Sequence, residues 1–142
     1  MGVPFEWSSR YETGFETIDN QHKEIVGRIN ALFEAISSGK GSAVLGDTLT
    51  FLIAHIQEHF NEEERYMAEI KYVRREEHRR DHERLNTFLR GSTARAKVDN
   101  PNLCALALAA FLREWLLEHV LVEDRQLFEN VRISKFPSKK SV

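Results

Sequence analysis

The stretch HFNEEERYM, His59 to Met67, decides how the rest of this sequence is interpreted. His59 and Glu63 are four residues apart, so on a helix their side chains point the same way and meet. Both fall in a row of apolar residues that recur at steps of three or four: Leu45, Leu49, Leu52, Ile56 and Met67. A row of this kind packs against the rest of a protein, so we expect both polar side chains to be buried.

The buried glutamate is harder to explain than the buried histidine. A single core histidine is ordinarily held by a hydrogen bond. Removing a carboxylate from water is costly unless a partner or a metal ion compensates. The pair formed by His59 and Glu63 offers a metal ion two ligands, and the rest of the chain must supply the others.

Length, composition and charge set the class of protein. The chain has 142 residues, 30% charged and 42% hydrophobic, with a formal net charge of -2, which is typical of one soluble globular domain. Near-neutral charge gives no electrostatic case for nucleic acid or a membrane surface. No apolar run reaches membrane-spanning length and no signal peptide is evident. The lone Cys104 cannot form an internal disulfide, so we expect a cytoplasmic protein.

Helical periodicity predicts an all-α, up-down-up-down four-helix bundle. The first helix is expected at about 18–37 and the third at about 74–93. The second should end at about residue 67, and the fourth should run from Pro101 past His119. Asn100 should cap the fourth helix, and Ser42 or a neighbour the second. The expected organisation is an N-terminal arm at 1–17 packed on the bundle, the bundle at 18–132 and a C-terminal tail at 133–142.

Each predicted helix carries at least one histidine in its apolar stripe. These residues are His22, His59, His78, His82 and His119. Five imidazoles in a small dry core have too few hydrogen-bond acceptors, which indicates metal binding. One zinc ion takes about four ligands, so two ions that share carboxylates fit the set better. Imidazole and carboxylate together suit iron.

The second carboxylate is ambiguous from spacing alone. Glu123 is one regular turn beyond His119, whereas Asp124 would be rotated by roughly 140° in a regular helix. Asp124 joins only if the helix loosens, as a π-type turn allows. Ferritin-like carboxylate bundles are excluded because no histidine has a glutamate three residues before it. Covalent haem is excluded because there is no Cys-x-x-Cys-His.

These residues resemble the bacterial hemerythrins over about residues 7–128. Four pieces carry the resemblance in this order: Trp7 with Gly14 and IDNQH ending at His22, then HFNEEERYM, then His78-x-x-x-His82, then WLLEHVLVED from Trp115 to Asp124. Each piece alone is weak, but their order and spacing together are specific.

The resemblance implies two iron ions (Fe2+/Fe3+) with an oxo or hydroxo bridge. One iron would be held by His78, His82 and His119, the other by His22 and His59, and Glu63 with Asp124 would bridge them. The family spacing selects Asp124 over Glu123, which predicts an irregular helix between His119 and Asp124. The second iron would keep one open position for dioxygen.

The resemblance also implies an apolar wall around the bound dioxygen. Its members would be Ile25, Phe60, Trp115, Leu116 and Val120, although all five would also serve ordinary core packing. Val120 is shorter than the isoleucine more usual there, which enlarges the pocket slightly. An extra histidine, His55, is either a group near the site or a packing residue.

The implied function is reversible dioxygen binding for storage, transport or delivery, and not an enzyme activity. Dioxygen is the expected partner, and delivery leaves room for an unidentified protein that receives it. Two alternatives stay open. One is an enzyme acting on peroxide or nitric oxide at the same centre, with His55 as its acid–base group. The other is an oxygen or redox sensor coupled through the tail from Ile133.

Overall fold

Four long helices form the all-α bundle that the sequence predicts, in a computed structural model that describes residues 5–135. The helices are α1 (Glu16–Ser37), α2 (Gly41–Ile70), α3 (Arg75–Arg95) and α4 (Pro101–Glu118). A 3-10 turn at Ser9–Tyr11 precedes them, and α5 (Arg125–Lys135) follows. Within the described residues, no helix is both long and apolar enough to cross a membrane.

The start of α4 follows the prediction and the start of α2 does not. Asn100 accepts hydrogen bonds from the backbone N–H groups of Asn102 and Leu103, and Pro101 is the first helical residue. Ser42 was expected as a cap, but α2 already begins at Gly41 without a side-chain cap. The backbone N–H of Ser42 instead donates to Asn102 Oδ1 at 3.2 Å. The expected cap was wrong because a side chain of the neighbouring helix serves this end.

Gly41 allows the first loop to approach α4 closely. A Cβ at this position would lie 2.8 Å from Ile36 Cγ1 and 3.4 Å from the Ala105 side chain. Glycine is therefore required by the close packing between the end of α1, the start of α2 and α4, and not by an unusual backbone angle.

The fourth helix changes its winding in the middle. After Glu118 the chain forms a π-helix, His119–Asp124, and then resumes regular helix as α5. Ile133 and Lys135, which the sequence analysis assigned to the tail, lie in the last turn of α5. The remaining tail at 136–142 and the arm residues 1–4 lie outside the described residues.

Two separate apolar clusters fill the bundle, and buried polar side chains lie between them. The larger cluster includes Ile25, Ile56, Leu85 and Leu116, and the smaller includes Ile18, Met67, Tyr72, Leu127 and Phe128. Along the chain the predicted metal ligands fall between a member of one cluster and a member of the other, and for α3 the member of the smaller cluster is Tyr72, just before the helix. The candidate site is therefore a polar layer sealed by apolar side chains on both sides.

Asp19 joins the N-terminal arm to α1. Its Oδ1 accepts hydrogen bonds at 2.8 Å from both the backbone N–H and the hydroxyl of Thr13, and its Oδ2 accepts from Gly14 N–H at 3.2 Å. Gly14 has φ +89, which favours glycine. The arm is also held where Asn30 donates to the Phe5 carbonyl at 2.7 Å. The division of the chain at residues 17 and 132 stays a prediction.

Candidate metal centre

All seven candidate ligands of the sequence analysis lie in the polar layer. α1 contributes His22, α2 contributes His59 and Glu63, α3 contributes His78 and His82, and the π-helix contributes His119 and Asp124. None is more than 3% exposed. Their ligand atoms form two overlapping groups, each with all atoms within 4.8 Å of one another, and both carboxylates belong to both groups.

The first group, called here the three-histidine set, contains His78, His82 and His119. Glu63 Oε1 lies 3.0 Å from His78 Nε2 and 2.9 Å from His82 Nε2. Asp124 Oδ1 lies 3.1 Å from His78 Nε2 and 2.8 Å from His119 Nε2. Three imidazole nitrogens and one oxygen of each carboxylate therefore face a common point.

The second group, called here the two-histidine set, contains His22 and His59. Asp124 Oδ2 lies 2.9 Å from His22 Nε2, and Glu63 Oε2 lies 3.2 Å from His59 Nε2. The two imidazole nitrogens are themselves only 3.0 Å apart. Each carboxylate thus turns one oxygen to each set, which is the arrangement of a ligand shared by two ions.

The close contacts of the layer are only partly hydrogen bonds. Glu63 Oε1 can accept from His78 and His82, and His22 and His59 are paired through Nε2. Glu63 Oε2, His119 Nε2 and both Asp124 oxygens are buried and have no hydrogen-bond partner of proper geometry within the described chain. Short distances without hydrogen-bond angles arise when lone pairs converge on a shared centre. Buried charges require a partner, and a cation in each set would supply it. The residues present therefore fit two metal ions with shared carboxylates.

The electrostatics of the metal-free layer follow from the same contacts. Burial lowers the pKa of His59 and His78, but the carboxylates of Glu63 and Asp124 outweigh it and raise both values to about 9. Burial would raise the pKa of the two carboxyl groups, but the surrounding imidazoles hold it well below its usual range. Protons on histidine therefore occupy the role that cations would take, and metal binding must displace them.

The π-helix brings Asp124 into the layer. Its hydrogen bonds span five residues, so His119 and Asp124 come to the same side of the helix. The irregular helix predicted between them is confirmed. Glu123, which regular spacing favours, is 21% exposed and lies 3.4 Å from the guanidinium of Arg74.

Two residues that the sequence analysis missed contact the outer nitrogens of candidate ligands, that is, the Nδ1 atoms that point away from the layer. His59 Nδ1–H donates to Gln21 Oε1 at 2.6 Å, and His119 Nδ1–H donates to Asp81 Oδ2. Such bonds fix the tautomer that leaves Nε2 free for a metal ion. The sequence offered one signal for both residues, which is their position. Gln21 directly precedes His22 and Asp81 directly precedes His82, and each contacts a candidate ligand of a neighbouring helix.

A small cavity adjoins the layer on the side of the larger apolar cluster. Its volume is about 10 Å³, close to that of one water-sized sphere. All five predicted wall residues line it, together with Ile56, Leu85 and Leu112: Ile25, Phe60, Trp115, Leu116 and Val120. The cavity also reaches both imidazoles of the two-histidine set, His22 and His59, and one of the three-histidine set, His119.

Aromatic rings cover the imidazoles next to this cavity. Trp115 stacks on His119 with ring centroids 4.2 Å apart, and Phe60 stacks on His82 at 3.6 Å. These contacts fix the planes of both imidazoles and exclude water from one face of each.

His55 does not line the cavity. Its Nδ1 lies 3.5 Å from Glu24, and its ring stacks on Phe51 with centroids 5.0 Å apart. Of the two roles open from the sequence, the structure favours packing at the boundary of α1 and α2.

Comparison with known proteins agrees with this geometry. The model of the hemerythrin HHE cation binding domain matches residues 13–131. A bacteriohemerythrin of Pseudomonas paraeruginosa is 31% identical over 128 residues, covering 90% of this chain and 82% of the relative. A myohemerythrin of Theromyzon tessulatum is 26% identical over 85% of this chain and 88% of its own length. A bacteriohemerythrin of Clostridium acetobutylicum is 24% identical over 88% of this chain and 99% of its own length. The resemblance drawn from the sequence is confirmed, and the chain belongs to the hemerythrin family.

Proposed function

We propose that this protein binds dioxygen reversibly at a di-iron centre in the polar layer. The observation that carries the proposal is the sharing of Glu63 and Asp124 between two donor sets, beside a small cavity whose other walls are apolar. Family membership supports iron as the metal, and the mixture of imidazole and carboxylate donors suits it. When bound, the iron pair supplies the electrons that dioxygen takes up and returns.

Each side chain has a distinct part in this proposal. The three-histidine set, His78, His82 and His119, would hold one iron. The two-histidine set, His22 and His59, would hold the other, and Glu63 and Asp124 would join them. The two-histidine set provides one donor fewer, and the cavity reaches both of its imidazoles but only one of the three-histidine set. The ligand count and the cavity therefore favour the same position for dioxygen.

The cavity walls determine what can enter the site. Ile25, Leu116 and Val120 present only hydrocarbon, and each is at most 3% exposed. A small neutral gas can occupy such a space, whereas water would lose its hydrogen bonds there. Exclusion of water also slows irreversible oxidation of a bound metal, because the hydrophobic shell controls solvent access.

The same cavity weighs against catalytic turnover. In the described chain, the titratable side chains that line it are His22, His59, His119 and Asp124, all of them candidate ligands. An enzyme that reduces peroxide or nitric oxide needs a free group to move protons. His55, the group proposed for that task, does not line the cavity. We infer an oxygen storage, transport or delivery role, in the cytoplasm, in preference to an enzyme or a sensor.

Anaerobic loading with ferrous iron tests the proposal. We expect two irons per chain and a visible absorption band that appears in air and disappears when oxygen is removed. Asp124→Asn should abolish loading of the pair, whereas Glu123→Gln, next to it in the chain, should leave loading unchanged. Absence of a reversible band in the fully loaded protein would refute dioxygen binding.

A further inference from the structure

Within the described residues, two of the five imidazoles have a hydrogen-bond partner at Nδ1, the ring nitrogen that points away from the layer. His59 donates to Gln21 at 2.6 Å, and His119 donates to Asp81. The outer nitrogens of His22, His78 and His82 are buried and have no partner in the described part of the chain. One held imidazole belongs to the two-histidine set and the other to the three-histidine set.

Gln21 and Asp81 connect neighbouring helices in the same way. Gln21 lies on α1 and contacts a candidate ligand on α2. Asp81 lies on α3 and contacts a candidate ligand that follows α4. Each residue therefore orients an imidazole from outside the layer, and neither reaches the predicted metal positions itself.

The two acceptors differ in charge. Gln21 offers a neutral amide oxygen, whereas Asp81 offers a carboxylate oxygen and stays 22% exposed, 3.8 Å from the guanidinium of Arg84. A carboxylate draws the Nδ1 proton toward itself and makes Nε2 a stronger donor to a metal ion. An amide does so more weakly, so His119 is the stronger ligand and His59 the weaker.

We propose that Gln21 and Asp81 are positioning residues that make the two metal positions electronically unequal. This inference rests on the proposed function. The stronger donor, His119, stabilises the oxidised form of the ion in the three-histidine set. The weaker donor, His59, keeps the ion beside the cavity easier to reduce. The position that meets dioxygen thus returns more readily to its reduced form.

Two substitutions of equal shape change these charges in opposite directions. Gln21→Glu adds a carboxylate against His59, and Asp81→Asn removes one from His119. We expect the midpoint potential of the loaded protein to fall in Gln21→Glu and to rise in Asp81→Asn. A tenfold change in the ratio of oxidised-state to reduced-state affinity corresponds to about 59 mV for one electron. Spectroelectrochemical titration without oxygen measures both shifts.

Matched controls separate this local effect from general charge. Gln57→Glu and Glu76→Gln make the same changes at exposed positions whose partners are Asn61 and Arg79. Both controls should keep the potential of the unmodified protein. Asp81→Glu retains the charge and should shift the potential less than Asp81→Asn. If Asp81→Asn loses iron, the test rests on Gln21→Glu alone: a lower midpoint potential supports the inference, and an unchanged or higher one overturns it.

The possible results distinguish this inference from the proposed function. Normal iron loading with unchanged potentials, or shifts of the same sign in both variants, would overturn the inference alone. Two irons with no reversible oxygen band would overturn the proposed function and leave this test usable, because the potentials are read without oxygen. Protein that takes up no iron would overturn both.

Discussion

Removal of the metal should lower the thermal stability of this protein strongly. A free ion at 100 times its dissociation constant stabilises the folded state by about 2.7 kcal/mol per site. Two donor sets in the polar layer therefore give about 5.4 kcal/mol, if the unfolded chain does not bind. Without ions, the layer keeps five imidazoles and two carboxylates buried among apolar clusters.

The expected change in melting temperature follows from chain length. Unfolding entropy is about 2.1 cal/mol/K per residue, or about 300 cal/mol/K for 142 residues. A loss of about 5.4 kcal/mol then lowers Tm by about 18 °C, and a single site would give about half of that shift. Iron content measured on the same samples then assigns the shift to one site or to two.

Scanning calorimetry of iron-loaded, chelator-treated and reloaded protein measures this shift. The chelator should change Tm little in Asp124→Asn, which lacks a shared ligand. Equal Tm values for loaded and metal-free protein would refute the reasoning, because a metal bound only by the folded layer must add stability.

Four further outcomes test the core, the helix ends and the charges of the layer. Leu112→Ala, at a fully buried cavity position, should cost about 2–5 kcal/mol in urea unfolding and speed oxidation of the loaded protein. Asn100→Ala should cost about 1 kcal/mol through the lost helix cap and leave iron content unchanged. Lys71→Gly should raise stability by up to about 1 kcal/mol, because φ 53 at this helix end favours glycine. In metal-free protein, burial lowers the pKa of His59 and His78, but the nearby carboxylates outweigh it and raise both values to about 9. The charge on these imidazoles therefore stabilises the fold fully below pH 6.5, and this stabilisation is lost as the pH rises toward 9. Urea unfolding at pH 6 and pH 9 measures this loss, and equal stability at both values would contradict it.

Periodicity predicted the four helices because buried positions recur along one face of each, although His78 and His82 take the place of apolar residues in the first half of α3. The same faces held the five histidines, and their number in a small core indicated metal before any comparison. Local spacing favoured Glu123, since a regular helix brings residues four apart together. Only the longer pattern shared with a family pointed to Asp124, because a π-turn has no signature in the hydrophobic period.

Contacts between helices were beyond sequence reasoning. Gln21 and Asp81 each directly precede a candidate ligand in the chain. Successive residues of a helix are about 100° apart around its axis, so both side chains face a neighbouring helix. Which imidazole each one meets depends on how the helices pack, which no local pattern states. The missed cap at α2 has the same cause, because Asn102 of another helix binds there.

The π-helix at His119–Asp124 sets a limit on how the fourth helix can change. Regular α-helical winding of the same six residues would give a backbone with better-aligned hydrogen bonds. The same rewinding would rotate α5 and Asp124 by roughly 100° relative to His119 and carry the carboxylate away from the imidazoles. Over these six residues, regular α-helical winding and the position of Asp124 beside the imidazoles therefore exclude each other. A variant with one residue fewer between His119 and Asp124 should wind regularly and still present its aspartate on the side of His119, now four residues on.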